Sequence, residues 1–121
     1  MGSKATRIGA TWDMVAEIAA VLPDSIAGTS YGTPAYFRRK KLFARLHQSM
    51  EAVVVNQSLE TRNDWMASDP ESFYITDHYA AHPYMLIRLE TVNQSDLKLL
   101  IEESWRMAGT PTLRDATKRR R

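Results

Sequence analysis

Three short strand-like segments follow one another within residues 35–56, and this succession constrains the fold more than any other feature of the chain. The segments are residues 35–38, 42–47 and 52–56. Only a few residues join each segment to the next, so they form consecutive hairpins, in which neighbouring strands run antiparallel. The valines at 53–55 are too apolar for a strand with one wet face, which predicts a central position in the sheet.

Helical patterns lie on both sides of these strands. Apolar residues recur at helical spacing in residues 11–22 and 96–108, and a further helix is predicted over residues 59–67 from its capping residue and from Glu60 in its first turn. Thr11, Ser58 and Ser95 are placed to cap the three helices. Residues 24–34 are predicted to be a turn-rich connection, and residues 72–75 and 84–92 to be two later strands. The resulting order, α-β-β-β-α-β-β-α, predicts an α+β domain: one antiparallel sheet with helices packed on one side.

Length and composition limit what this chain can do. Its 121 residues suffice for one domain with one hydrophobic core. The absence of cysteine excludes disulfides, thiolate nucleophiles and cysteine-ligated zinc, and is typical of a reducing cytoplasm, where we expect the protein. The longest apolar stretch near the N-terminus, residues 18–22, is too short to cross a bilayer, so no membrane partner is expected.

Charge is unevenly distributed along the chain. The formal net charge is only +2, but residues 114–121 hold five basic residues against one aspartate. We expect three parts: a flexible N-terminus (residues 1–10), the folded domain (11–109), and a basic, disordered tail (110–121). Attraction to nucleic acid must therefore come from local patches and the tail rather than from a basic body.

A series of segments matches a known family in order and spacing. They are Leu22-Pro23, Thr29-Ser-Tyr-Gly-Thr-Pro-Ala35, Lys40-Lys-Leu-Phe-Ala-Arg-Leu46, Tyr74-Ile-Thr-Asp-His-Tyr79, His82-Pro-Tyr84, Leu86-Ile-Arg-Leu89 and Glu103-Ser-Trp105. Together they resemble the MmcQ/YjbR-like family of small bacterial proteins over about residues 11–108. The resemblance implies a CyaY-like α+β fold and a double-wing DNA-binding motif. One departure is visible: such proteins often carry glycine before the paired lysines, where this chain has Arg38-Arg39.

The run Arg38-Arg39-Lys40-Lys41 is the first candidate site. In the functional interpretation it forms a wing tip that contacts phosphates, Arg45 extends the patch, and Tyr36 stacks on sugar or base. In the alternative interpretation these cations are simply solvated at a hairpin edge, where they prevent the sheet from pairing with another sheet. Residue types alone favour the solvated edge slightly, and the family resemblance makes the two comparable.

A Tyr/His cluster, consisting of Tyr31, His78, Tyr79, His82 and Tyr84, is the second candidate site. It would hold a small anion, a peptide or another protein. Its turn residues Thr29, Ser30 and Thr33 could bind an anion, but more often such residues satisfy the turn itself. Asp77, His78 and His82 could supply three metal ligands, yet the short segment before Pro83 favours a capped turn, so no metal or cofactor is expected.

No nucleophile is paired with a base in a recognisable motif, so a non-enzymatic role is expected. The sequence thus predicts a DNA-binding protein that contacts double-stranded DNA through phosphates. The alternative is a protein-interaction or small-anion-binding module that uses the Tyr/His cluster.

Overall fold

A computed structural model describes residues 9–110. The elements, in chain order, are α1 (Trp12–Ala20), β1 (Ser25–Ser30), β2 (Thr33–Arg38), β3 (Lys41–Leu46), β4 (Ala52–Asn56), α2 (Leu59–Ser68), β5 (Phe73–Tyr74), a 3₁₀ turn (Asp77–Tyr79), β6 (Tyr84–Arg88) and α3 (Gln94–Gly109). The predictions for residues 1–8 and 111–121 fall outside the described residues. Gly9 and Ala10 belong to the predicted N-terminal segment, but Ala10 donates its N–H to the Leu89 carbonyl at 2.6 Å.

The predicted fold class is confirmed. Six antiparallel strands form one sheet in the order β1-β2-β3-β4-β6-β5. The main core lies on one face of this sheet, where side chains from all three helices pack against it. A smaller cluster on the other face is closed by Tyr79 from the 3₁₀ turn. None of the helices within residues 9–110 has both the length and the apolarity that crossing a bilayer requires.

Residues 24–34 were expected to be a connection, and that expectation is wrong. Strand β1 occupies Ser25–Ser30 and pairs with β2 along its whole length through a two-residue turn at Tyr31-Gly32. Both turn residues have positive φ (53° and 82°), as a type I′ hairpin requires. The strand is at the sheet edge and its middle four residues are exposed, so it lacks the apolar alternation by which strands are recognised.

Strand β3 does not alternate as predicted. Leu42, Ala44 and Leu46 were expected to share one face, but a bulge shifts the β2–β3 register so that Phe37 pairs with Leu42 and Tyr36 with Ala44. Phe43 is the extra residue, and both Phe43 and Ala44 enter the main core. A bulge adds a residue without a sequence signal of its own, so a strict period of two fails here.

Capping residues fix most helix starts as predicted. Thr11 and Ser58 accept hydrogen bonds from the N–H groups of Met14 and Thr61. At α3, however, the cap is Asn93 rather than Ser95, because the Asn93 side chain accepts from two backbone N–H groups. The strand predicted over residues 84–92 ends at Arg88, since Glu90 and Thr91 turn toward that cap.

A buried arginine holds the loop that crosses the second face of the sheet. The Arg62 side chain, 5% exposed on α2, donates to the carbonyl oxygens of Tyr79, Ala80, His82 and Tyr84 at 2.6–3.0 Å. Charged donors make the stronger hydrogen bonds of proteins, and carbonyls buried without a partner are costly. The 3₁₀ turn and the start of β6 therefore depend on one side chain from α2.

Replacing Arg62 by methionine should destabilise the fold by about 3 kcal/mol, because four carbonyls lose their donor and an apolar chain cannot replace it. Urea unfolding followed by circular dichroism measures this change. Arg106→Met, an exposed position on α3, is the matched control and should change the unfolding free energy by less than about 0.5 kcal/mol. Equal effects of the two substitutions would contradict the role given to Arg62.

Candidate nucleic-acid interface

The turn between β2 and β3 consists of two cations, Arg39 and Lys40, between the paired residues Arg38 and Lys41. Arg39 has φ 60°, and of the two loop residues only Arg39 lies in the left-handed region, as in a type II′ turn. Glycine is the usual residue at that position, because other residues pay a steric cost there. Arg39 therefore has a backbone conformation that is typical of glycine, and its side chain adds a positive charge to the turn.

The cations of this turn differ in how freely they reach solvent. The Arg39 side chain is 76% exposed and lies 3.7 Å from the Asp24 carboxylate. Lys40 is exposed and Lys41 is half-buried. An exposed ion pair of this length is worth at most about 1 kcal/mol, so a phosphate can replace Asp24 as the partner of Arg39. We name Arg39, Lys40 and Lys41 the cationic turn.

Arg38 is engaged inside the fold instead. Its guanidinium lies 3.9 Å from the centroid of the Trp105 ring and donates to the Trp105 carbonyl at 3.1 Å. It also passes against Gly109, where a Cβ would lie 2.1 Å from its Nη1 atom. This contact joins β2 to the C-terminal end of α3, where the helix dipole favours a cation. Trp105 and Gly109 are thus the structural partners of Arg38, which sequence reasoning did not identify.

Tyr36 and Arg45 do not lie beside the cationic turn as free side chains. Tyr36 is half-buried on the helix side of the sheet, with its ring centroid 6.1 Å from Trp12 and 6.5 Å from Phe43. Arg45 is 3% exposed on the opposite face. Arg45 therefore does not extend the cationic turn, and the Tyr36 ring is already packed against Trp12 and Phe43.

Thr110, the last residue before the C-terminal segment, lies near the cationic turn. Lys41 and Thr110 line the same hollow between β3 and the end of α3. The basic residues 114–121 follow Thr110 in the chain. The structure thus brings three of the predicted cations together and separates Tyr36, Arg38 and Arg45 from them.

The Tyr/His cluster forms a continuous set of ring contacts. The His78 and Tyr79 centroids are 4.8 Å apart, Tyr79 and Tyr84 5.8 Å, and His78 and His82 6.5 Å. The exposed Tyr31 ring lies 5.3 Å from the Arg45 guanidinium carbon and joins the set through that residue. The members of the Tyr/His cluster thus lie near one another, and Arg45, which the sequence did not indicate here, links Tyr31 to the others.

Arg45 is a buried cation with neutral hydrogen-bond partners. It donates to the Tyr79 hydroxyl at 2.8 Å, to Gln48 Oε1 at 3.1 Å, and to the Leu46 carbonyl and Thr33 Oγ1 at 3.4 Å. No carboxylate within residues 9–110 forms an ion pair with it. Its charge therefore remains as a positive potential beneath the Tyr/His cluster.

His47 responds to that potential. Burial, and then the charge of Arg45, lowers the pKa of His47 below the usual 6.5. Its Nδ1 accepts a hydrogen bond from the Ser49 backbone N–H at 3.2 Å, which requires an unprotonated Nδ1. Both observations favour the neutral imidazole in the folded protein.

Folding stability should therefore fall as the pH drops below about 6.5, since the unfolded chain binds a proton at His47 more readily than the folded one. Urea unfolding at pH 7.5 and pH 5 measures the loss. His47→Gln should reduce this loss, while the exposed His82→Gln should leave it unchanged. A wild-type loss unaltered by His47→Gln would show that another group carries it.

The three-ligand metal site considered from the sequence does not assemble. Within the part of the chain that the structure describes, no group of three histidine, aspartate or glutamate side chains is placed to hold a metal ion. The rings of His78 and His82 do lie near each other, with centroids 6.5 Å apart. This pair supplies two histidine side chains but no third ligand for a metal ion.

Comparison with known proteins shows a structural likeness. The sequence matches no protein-family model and no curated protein. The fold is similar to the crystal structure of the Deinococcus radiodurans protein DR2400, which carries a domain designated DUF419, with a TM-score of 0.70. The two are 18% identical, and the match covers 93% of this chain and 89% of that one. DUF419 is the MmcQ/YjbR-like family, and at this identity the likeness establishes the fold alone.

Proposed function

We propose that the protein binds DNA through the phosphate backbone, using the cationic turn. The observation that carries this proposal is Arg39, a charged residue at a backbone position where glycine would be less strained. The neighbouring Lys40 is exposed, so two positive side chains project together from one tight turn. Contacts of this kind to phosphate do not depend on base sequence.

The C-terminal basic residues support the same role. They follow Thr110, which lines one hollow with Lys41. A duplex held at the cationic turn would therefore lie close to Thr110, from which the basic segment continues. The sequence resemblance to the MmcQ/YjbR-like family and the fold likeness to a DUF419 protein agree with each other, and the family's DNA-binding label is consistent with the turn.

The affinity for duplex DNA should fall with rising salt. When Arg114, Lys118, Arg119, Arg120 and Arg121 are all replaced by glutamine, three turn cations remain. The slope of log affinity against log salt should then be about −2 to −3, and steeper for the wild-type chain. Fluorescence anisotropy with a labelled duplex measures both slopes.

Lys40→Glu should weaken duplex binding about tenfold at low salt and make the slope shallower by about 1 or more. Lys98→Glu is the matched control, since it reverses another exposed lysine, on α3. It should change the affinity by less than about threefold. Binding that is independent of salt, or equally sensitive to both substitutions, would remove the basis of the proposal.

The Tyr/His cluster supports a second candidate function, the binding of a small anion or an acidic segment of another protein. Arg45 supplies a buried positive charge without an ion-pair partner among the described residues, and the exposed Tyr31 ring covers it. Such a site would not need the cationic turn.

Inorganic phosphate tests this second candidate. Titration should shift the backbone amide resonances of Thr33, Gln48 and Tyr79, because their side chains bind Arg45. Lys40→Glu should not alter these shifts, whereas Tyr31→Ala should change their size. Shifts confined to Arg39 and Lys40 would instead assign phosphate to the cationic turn.

A further inference from the structure

A hollow of about 380 Å³ lies directly beside the cationic turn. It is bounded by the start of β3, the end of β4, the start of β6 and the C-terminal end of α3. Its lining residues are Lys41, Leu42, Asn56, Pro83, Tyr84, Met107, Ala108 and Thr110. Its volume falls within the range of pockets that bind small molecules.

The lining of this hollow combines an apolar wall with one amide. Leu42, Met107 and Ala108 contribute apolar surface, and Tyr84 contributes a ring. The Asn56 Nδ2 atom donates to the carbonyls of Leu42 and Ser104, which leaves its Oδ1 available to accept a hydrogen bond. A flat heterocycle with an amino group fits a site of this composition.

This hollow differs in charge from the larger hollow at the other end of the sheet. None of its lining residues is acidic, and Lys41 stands at its rim. The hollow of about 590 Å³ near Trp12 is lined by Glu51 and Glu90 as well as Arg88. A phosphodiester chain is therefore favoured at the first hollow and opposed by two carboxylates at the second.

The wall of the hollow is held in place before any ligand arrives. Arg62 donates to the Tyr84 carbonyl at 2.9 Å, and Ser104 Oγ accepts from the Asn56 N–H at 2.8 Å while donating to the Phe43 carbonyl at 2.6 Å. These bonds fix the backbone of Tyr84 and Asn56. Because this wall is already ordered, a ligand that fits the hollow loses little binding free energy to ordering the protein, which raises its affinity.

We propose that this hollow receives an unpaired nucleobase, so that DNA with single-stranded nucleotides is the preferred ligand of the cationic turn. This inference rests on the proposed function, because the turn must hold the flanking phosphates. A nucleic-acid strand that runs from Lys41 toward Thr110 passes over the hollow, because both residues line it. Duplex DNA keeps its bases stacked and cannot fill it without unpairing them.

The test compares a single-stranded oligonucleotide with a duplex of equal length at one salt concentration. Wild-type protein should bind the single strand about tenfold more tightly, since base–ring stacking contributes a factor of this order. Met107→Glu, at the rim of the hollow, should remove this preference. Leu99→Glu is the matched control: it makes the same substitution on α3, at a similarly exposed position (42% against 38%), outside the hollow.

A second measurement locates the base. A single strand carrying 2-aminopurine should change fluorescence when saturated with wild-type protein or Leu99→Glu, but not with Met107→Glu. Melting temperatures check that both variants fold. Duplex binding with the expected salt slope but no preference for the single strand would overturn this inference alone. Failure of both oligonucleotides to bind would overturn the proposed function as well.

Discussion

Two buried guanidinium groups meet at one residue, and the second face of the sheet depends on them. Arg62 binds the Tyr79 carbonyl and Arg45 binds the Tyr79 hydroxyl, so a single loop tyrosine is held at both ends. Neither arginine has a carboxylate partner among the residues described. Buried charge is costly unless it is hydrogen-bonded, and here carbonyl, amide and hydroxyl oxygens accept bonds from the Nη atoms of both side chains, while Arg62 Nε is left without a partner among the described residues. The loop and the Tyr/His cluster are ordered as a result.

The arginines and lysines of this chain divide between structure and surface. Arg38 and Arg39 are adjacent, yet one lies against Trp105 and the other reaches solvent at 76% exposure. Successive side chains of a strand point to opposite faces, and the turn adds a residue with positive φ. A run of like charges in a sequence is therefore a poor guide to how many of them a ligand can contact.

Sequence patterns were sufficient for the fold class because local signals agreed. Thr11 and Ser58 cap helices, the valines of β4 mark a central strand, and short connections require antiparallel pairing. Strand β1 was not predicted, because an exposed edge strand of mostly small residues shows no alternation of apolar and polar side chains. The positions of Tyr36 and Arg45 were missed because the bulge at Phe43 and the arrival of the 3₁₀ turn over β3 are tertiary events. Most members of the Tyr/His cluster lie near one another because they are close in sequence.

The missing Cβ of Gly109 lets the Arg38 side chain lie against the end of α3, and this has a consequence for multivalent binding. This contact links the hairpin to the end of α3, next to Thr110, from which the chain continues into the C-terminal basic residues. Once the hairpin holds a polyanion, those residues meet it as an intramolecular partner at an effective concentration on the order of millimolar. Under the proposed function, two individually weak contacts would then act together through avidity, and a side chain at position 109 would displace the Arg38 side chain that links the hairpin to α3.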